Sequence, residues 1–271
     1  MLTLFTAATI SVSLGFLIYA SWSDFKTREV SNRVWIVYAP IALALSSVEL
    51  LAYEPSKLPF FGLSFGVTAV IAILLFYSGA FGGADSKALM CLALALPFSV
   101  GTVFGPLSPL GGSPLAVFLF PLVVFSNGVL FAAASGIYML IYNAIWHSKN
   151  KRRFFEGSLA KQSLGKKILV LITGHKVPLQ KLKDTWHVYP MEDVTRENGE
   201  SPPTRSLLVV PRDEGRPEII ARLSEAVDAG EINGPVWATP GLPMLIFITA
   251  GLIAALLFGD VVWILISAGL R

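Results

Sequence analysis

Charge is what this chain has least of. Only 14% of its 271 residues are Asp, Glu, Lys or Arg, where an ordinary soluble domain carries about 25%. Hydrophobic residues make up 54% and the mean hydropathy is +0.65, which excludes a disordered chain and an ordinary soluble globule. Cysteine is nearly absent. The one thiol, Cys91, excludes a disulfide framework and, inside an apolar run, reads as a small core hydrophobe. Three scattered histidines, His147, His175 and His187, with no CxxC pair, give no structural metal site. There is no HExxH, no GxSxG, no glycine-rich cofactor loop, no internal repeat and no nucleic-acid motif. What remains is an integral membrane protein with no cofactor.

Long apolar runs are what the chain has instead. About 20 apolar residues span a hydrocarbon core of roughly 30 Å, and six stretches qualify or nearly do: Leu2–Ser21, Val34–Tyr53, Leu58–Ala80, Ala88–Phe104, Pro114–Trp146 and Ala238–Gly269. The fourth is short and closes on the Gly/Pro-rich segment Gly101–Pro114. The fifth is overlong, and Pro114 and Pro121 imply a late start or a kink. The expected fold is an all-α integral membrane protein of about six transmembrane helices, with a small α+β insertion before the last. The expected divisions are residues 1–146 (membrane domain, first five helices), 147–237 (soluble insertion) and 238–271 (last helix).

No Lys or Arg precedes the first run, whereas Lys26, Arg28 and Arg33 follow it, which argues against a cleaved signal peptide. The positive-inside rule then puts the N-terminus outside and residues 22–33 in the cytoplasm. With six alternating spans, Lys57 and Arg271 are the outside cations, and the 147–237 loop is cytoplasmic. That loop holds most of the charged residues. Lys166–Thr173 (KKILVLIT) and Leu207–Val210 read as short strands, Pro217–Ala229 as an amphipathic helix stopped by Gly230, and Asn198–Pro203 as a turn. Lys149–Arg153, next to the fifth span, reads as an anchor at the lipid surface.

Two carboxylates stand out because ionisable residues near membrane spans are few. Asp24 lies just past the first span and Asp85 follows Gly82, Gly83 and Ala84 at the turn into the fourth. In the topology above both face the cytoplasm at similar depth. Two close carboxyls share one proton, so one can activate a water while the other protonates a carbonyl. Gly82 and Gly83, without Cβ atoms, would let an extended peptide come alongside Asp85. The plainer reading is that both aspartates cap helices.

The string Asp24-Phe-Lys-Thr-Arg28-Glu-Val30-Ser-Asn32 resembles the D-x3-R-x-V/I-x-N signature of type IV prepilin peptidases and their archaeal relatives. Gly82-Gly83-Ala84-Asp85 with Ser86-Lys87 resembles their second aspartate motif, and Lys167–Gly174 and Val236–Pro243 resemble segments of the archaeal preflagellin peptidases. The resemblance implies a GxGD-type membrane aspartic endopeptidase with Asp24 and Asp85 as the catalytic pair, although it does not say which is the base. Its cysteine-poor sequence points to the archaeal branch, with peptidase activity and no methylation. The implied substrate is an archaellin- or pilin-type precursor with a short basic leader and a hydrophobic helix, cut at the cytoplasmic face of the cell membrane. Arg28 and Asn32 would hold the Asp24 loop. Lys87 would tune Asp85, meet substrate, or snorkel to the interface. Glu29, with Glu192 and Asp193 of the insertion, would receive the basic leader.

Two other classes compete. A small proton-coupled transporter or channel would place ionisable groups near the bilayer midplane and show a repeat, and a membrane-anchored adaptor would make both aspartates dispensable.

Overall fold

The computed structural model describes residues 4–103, 112–150, 153–195, 204–209 and 215–269. The chain begins with α1 (Leu4–Thr27), α2 (Asn32–Tyr53), α3 (Leu58–Tyr77) and α4 (Gly83–Ala95). Then come α5 (Pro114–Phe118) and α6 (Phe120–Asn150). The insertion carries α7 (Leu164–Thr173), β1 (His175–Val177), α8 (Leu179–Asp184), β2 (Tyr189–Pro190), β3 (Glu192–Thr195), β4 (Thr204–Leu207), α9 (Arg216–Asp228) and β5 (Val236–Thr239). Two helices close the chain, α10 (Met244–Phe258) and α11 (Val261–Gly269). Two compact units result, residues 1–132 with 243–271, and residues 133–242, and their division falls within α6.

Among the described residues, α1, α2, α3 with its preceding turn, and α6 are each long and apolar enough to cross a membrane. The pair α10 and α11 forms a fifth candidate, bent by 62°. The protein is therefore a multi-pass, mostly helical membrane protein. The fourth predicted stretch differs from expectation. Helix α4 has 13 residues, about 20 Å of rise, and is too short to span the hydrocarbon by itself. It sits inside the first unit, packed on α1, α2, α3 and α10, with Ala88, Leu89 and Leu92 fully buried.

Hydroxyls and small residues hold this helix, as expected where no hydrophobic force separates helix from lipid. Ser46 Oγ of α2 donates to the Leu94 carbonyl at 2.6 Å, and Ser86 Oγ of α4 donates to the Ala72 carbonyl of α3 at 3.1 Å. Ser21 of α1 and Thr249 of α10 share a buried hydrogen bond of 2.7 Å. Helices α6 and α10 meet backbone to backbone. A Cβ on Gly251 would lie 2.3 Å from the Val124 carbonyl oxygen, and one on Gly128 would lie 2.9 Å from that of Phe247.

The fifth stretch breaks where the prolines imply: Leu119 leaves helical geometry between α5 and α6. The last stretch is not one straight span. Ala238 and Thr239 belong to β5, the helix starts only after Pro243, and it turns at Gly259, whose φ is +84°. Asn127, fully buried, repairs the break. Its amide donates to the Gly259 carbonyl at 3.0 Å and its oxygen accepts from the Val261 N–H at 2.9 Å. Asp260 then caps α11 by accepting from the Trp263 N–H.

In the second unit, β5 is the central strand of a three-stranded antiparallel sheet, ordered β1-β5-β2, and β3 pairs with β4. Trp237 of β5 is buried, stacks on Phe155 and donates from Nε1 to the Phe154 carbonyl. Helix α9 buries Leu223 and Ala226 as the sequence pattern predicts. Lys166–Thr173 corrects the expectation of a strand: it lies in helix α7, started by Ser163, whose hydroxyl accepts from the Lys166 N–H. The strand expected at Leu207–Val210 is β4, shifted to Thr204–Leu207. Asn198–Pro203, residues 104–111 and residues 151–152 of the basic cluster lie outside the described residues.

Candidate active site

Helix α1 runs three residues past Asp24 and stops because Arg28 turns into the left-handed region, φ +56°, with its N–H on the Asp24 carbonyl at 2.8 Å. A positive φ costs a non-glycine residue free energy, so something must hold it. Ser23 and Thr27 do so, their hydroxyls both donating to the Glu29 carbonyl, at 2.8 and 3.0 Å. Neither residue was singled out in the sequence. The signal was there, two hydroxyls four apart on either side of an aspartate at a span's end. Ser31 then caps α2 by accepting from the Arg33 N–H.

On the other side of the site Asp85 sits in the first turn of α4. Its Oδ2 accepts from the Gly82 N–H at 3.0 Å, so this carboxylate caps the start of α4. Gly82 has ordinary extended torsions, so its role is space rather than backbone freedom: a Cβ there would press to 3.2 Å of that same Oδ2. Gly83 stands in ordinary contact distance of Phe76, and Ala84 packs half-buried on the bundle core. The helix-capping reading and the catalytic reading of Asp85 are therefore compatible, since one oxygen caps and the other is left for chemistry.

Two links tie these segments together. Lys87 Nζ donates to Asn32 Oδ1 at 2.6 Å, joining the start of α4 to the start of α2. Asp24 lies close enough for its charge to act on Asp85, and Arg28 acts likewise on Asp24. Burial, foremost, pushes the Asp85 carboxyl up to about 7 against the lowering effect of the Gly82 N–H, and the charge of Asp24 adds the smallest push, upward. Among the described residues no hydrogen bond joins the two carboxyls to each other.

The ammonium of Lys87 thus turns to Asn32, and the charge that bears on Asp85 is that of Asp24. Glu29 is exposed beside the turn, its backbone carbonyl holding the loop. The two acids of the insertion are already paired with arginines of the same unit. Glu192 is fully buried and chelated by Arg205 at 2.9 and 2.8 Å, and Asp193 is paired with Arg222 at 2.7 Å. The histidines are in aromatic contacts, His147 on Phe154, His175 on Tyr142 and His187 on Trp186. Among the described residues no cluster of three His, Cys, Asp or Glu could hold a metal ion.

Residues 11–142, which contain both aspartates, match the model of the "Type IV leader peptidase family", and residues 166–261 match "Archaeal Peptidase A24 C-terminus Type II". The chain is 30% identical over 252 residues to a preflagellin peptidase of Methanococcus voltae, covering 91% of this chain and 93% of that one. It is 24% identical over 250 residues to a preflagellin peptidase of Methanococcus maripaludis, covering 90% and 92% respectively. A likeness that runs through the aspartate-bearing helices, the insertion and the last helix places this chain in the type IV leader peptidase family, as a multi-pass membrane protease.

Proposed function

We propose that this protein is an aspartic endopeptidase that removes the short basic leader from preflagellin- or prepilin-like precursors at the cytoplasmic face of the cell membrane. What supports the reading is that Asp85 is half-buried at the start of α4 and lies within range of the charge of Asp24 at the end of α1. The N-terminus is outside and the insertion cytoplasmic, as the short-loop charges favour. No methyl transfer accompanies cleavage.

In this mechanism Asp85 carries the shared proton and Asp24 is ionised. Asp24 takes a proton from a water held between the carboxyls, and the water oxygen bonds to the scissile carbonyl carbon. Asp85 gives its proton to the carbonyl oxygen, forming a neutral tetrahedral diol. Asp24 then passes its proton to the departing nitrogen, the C–N bond breaks, and the diol's proton returns to Asp85. The pair ends as it began. The cleaved segment must be extended, since a helical peptide bond is already hydrogen-bonded and sterically closed.

Cleavage in this scheme needs Asp85 protonated. Its rate should fall as pH rises through about 7, approaching tenfold per pH unit for loss of one proton. The check is a kcat/KM profile on a leader-bearing precursor in membranes. A rate that stays flat up to about pH 9 removes Asp85 as the proton donor.

Lys87 and Asn32 act as one positioning unit, because their hydrogen bond is the direct tie between the starts of α2 and α4. Lys87→Met and Asn32→Ala are each expected to lower kcat about tenfold, and the double variant no further, since coupled partners are not additive. Two losses that multiply would mean that each residue acts alone.

A further inference from the structure

We infer that α7 lies flat in the headgroup region of the bilayer that α6 crosses, binding it through an apolar stripe bordered by lysines. Among the described residues nothing covers one face of helix α7: Leu164 is 75% exposed, Ile168 56% and Leu169 41%. Leu164, Ile168 and Ile172 follow at four-residue spacing and so line one side of the helix. The other side carries the buried Val170, which faces the insertion's core. A ten-residue helix with one face in protein and an exposed apolar face is an interfacial helix when a membrane is within reach.

The membrane is within reach because of how α7 is fastened. Asn143 of α6, buried, donates from its amide to the carbonyls of Leu171 and Gly174, both at 2.8 Å, closing the C-terminal end of α7. Ile172 lies against Gly136, where a Cβ would be 3.6 Å away. Both anchor points are on α6 among its exposed apolar residues, Ile137, Ile141 and Ile145. Tyr138, Tyr142 and Trp146 recur there every four residues, and beyond them come His147 and Lys149, so this aromatic row marks the headgroup level on α6. Asn143 is inside that row. The level of α7 is therefore the level of the bilayer edge, and its apolar stripe continues the lipid-facing surface of α6.

Charge agrees with this placement. Lys161 and Lys166 are exposed at the N-terminal end of α7, where anionic headgroups would meet them. Lys167 instead donates to the Ala160 carbonyl at 2.6 Å. This surface is separate from the aspartate pair and does not depend on which reaction that pair performs.

The test uses the full-length protein in bilayer discs containing anionic lipid. A fluorophore is placed at Ile168→Cys in a Cys91→Ala background, with Leu164→Cys as a second position in case the first variant does not assemble. Lys183→Cys, an exposed position of α8, is the reference. Quenching by a water-soluble agent at position 168 is expected to be roughly fivefold weaker than at 183, and quenching by acyl-chain nitroxides correspondingly stronger. Equal aqueous quenching at both positions overturns the inference. Protection from both kinds of quencher also overturns it, since a second copy or another protein would then cover the stripe.

Discussion

Asp24→Asn and Asp85→Asn are each expected to lower cleavage of a leader-bearing precursor by about a thousandfold or more, the scale of losing a positioned proton donor or acceptor. Asparagine keeps the shape of the side chain. At position 85 it also keeps the cap, because a carbonyl oxygen still accepts from the Gly82 N–H. Loss of activity can therefore be separated from loss of fold. The separation has a sign. Asp85 is raised in the folded protein, so its protonated form is the favoured one. Its contribution to stability is complete below the unfolded carboxylate range and is lost as pH rises through about 7. Asp85→Asn is permanently neutral, so above that pH it should unfold at the same temperature as wild type or higher. An inactive, equally stable protein is the expected pair of results. If both Asn variants still cleave, the carboxyls only cap and tether helices, and the transporter and adaptor readings replace the peptidase mechanism.

The second large effect concerns assembly. Gly251→Ala is expected to cost more than the about 1–3 kcal/mol of ordinary overpacking. The added methyl meets two backbone atoms of the facing helix α6, the Val124 carbonyl oxygen at 2.3 Å and the Gly128 nitrogen at 2.8 Å. Backbone in a helix cannot rotate away as a side chain can, so α6 and α10 must separate. That separation also loosens the Asn127 bridge across the bend at Gly259. Gly15→Ala and Gly62→Ala, where a Cβ meets nothing within 4 Å, should be neutral or slightly stabilising because alanine is the better helix former. The comparison is made on thermal unfolding of the solubilised protein. A Gly251→Ala midpoint matching those of the two controls would show that the helices are not in close contact there.

The sequence made some features plain and hid others for identifiable reasons. The segments carrying Asp24 and Asp85 were legible because a polar string beside an apolar run is conspicuous, and composition alone showed the membrane class. Lys166–Thr173 was not legible as a helix. Its run of aliphatic residues satisfies a strand pattern as well as a helical one, and the groups that decide the matter are Ser163 at one end and the distant Asn143 at the other. The bend at Gly259 was hidden because the residue that stabilises it, Asn127, is on another helix. Nor could composition reveal that Glu192 is sealed against Arg205. An acid in a charged loop reads as solvated until its neighbours are known.

The position of β5 has a consequence for the order of synthesis. His175 and Val177 pair with Ala238 and Val236, and Tyr189 with Thr239, so both outer strands wait for the last strand to be translated. A ribosome that has finished α9 has produced every other piece of this sheet and none of its centre. Until β5 is made, the outer strands have no central strand to pair with, since distant pairings close late. Within a few residues of completing the sheet the ribosome begins α10. Closure of the soluble unit and delivery of the final hydrophobic helix to the membrane are thereby made nearly simultaneous events, and a chain truncated before Val236 loses both together.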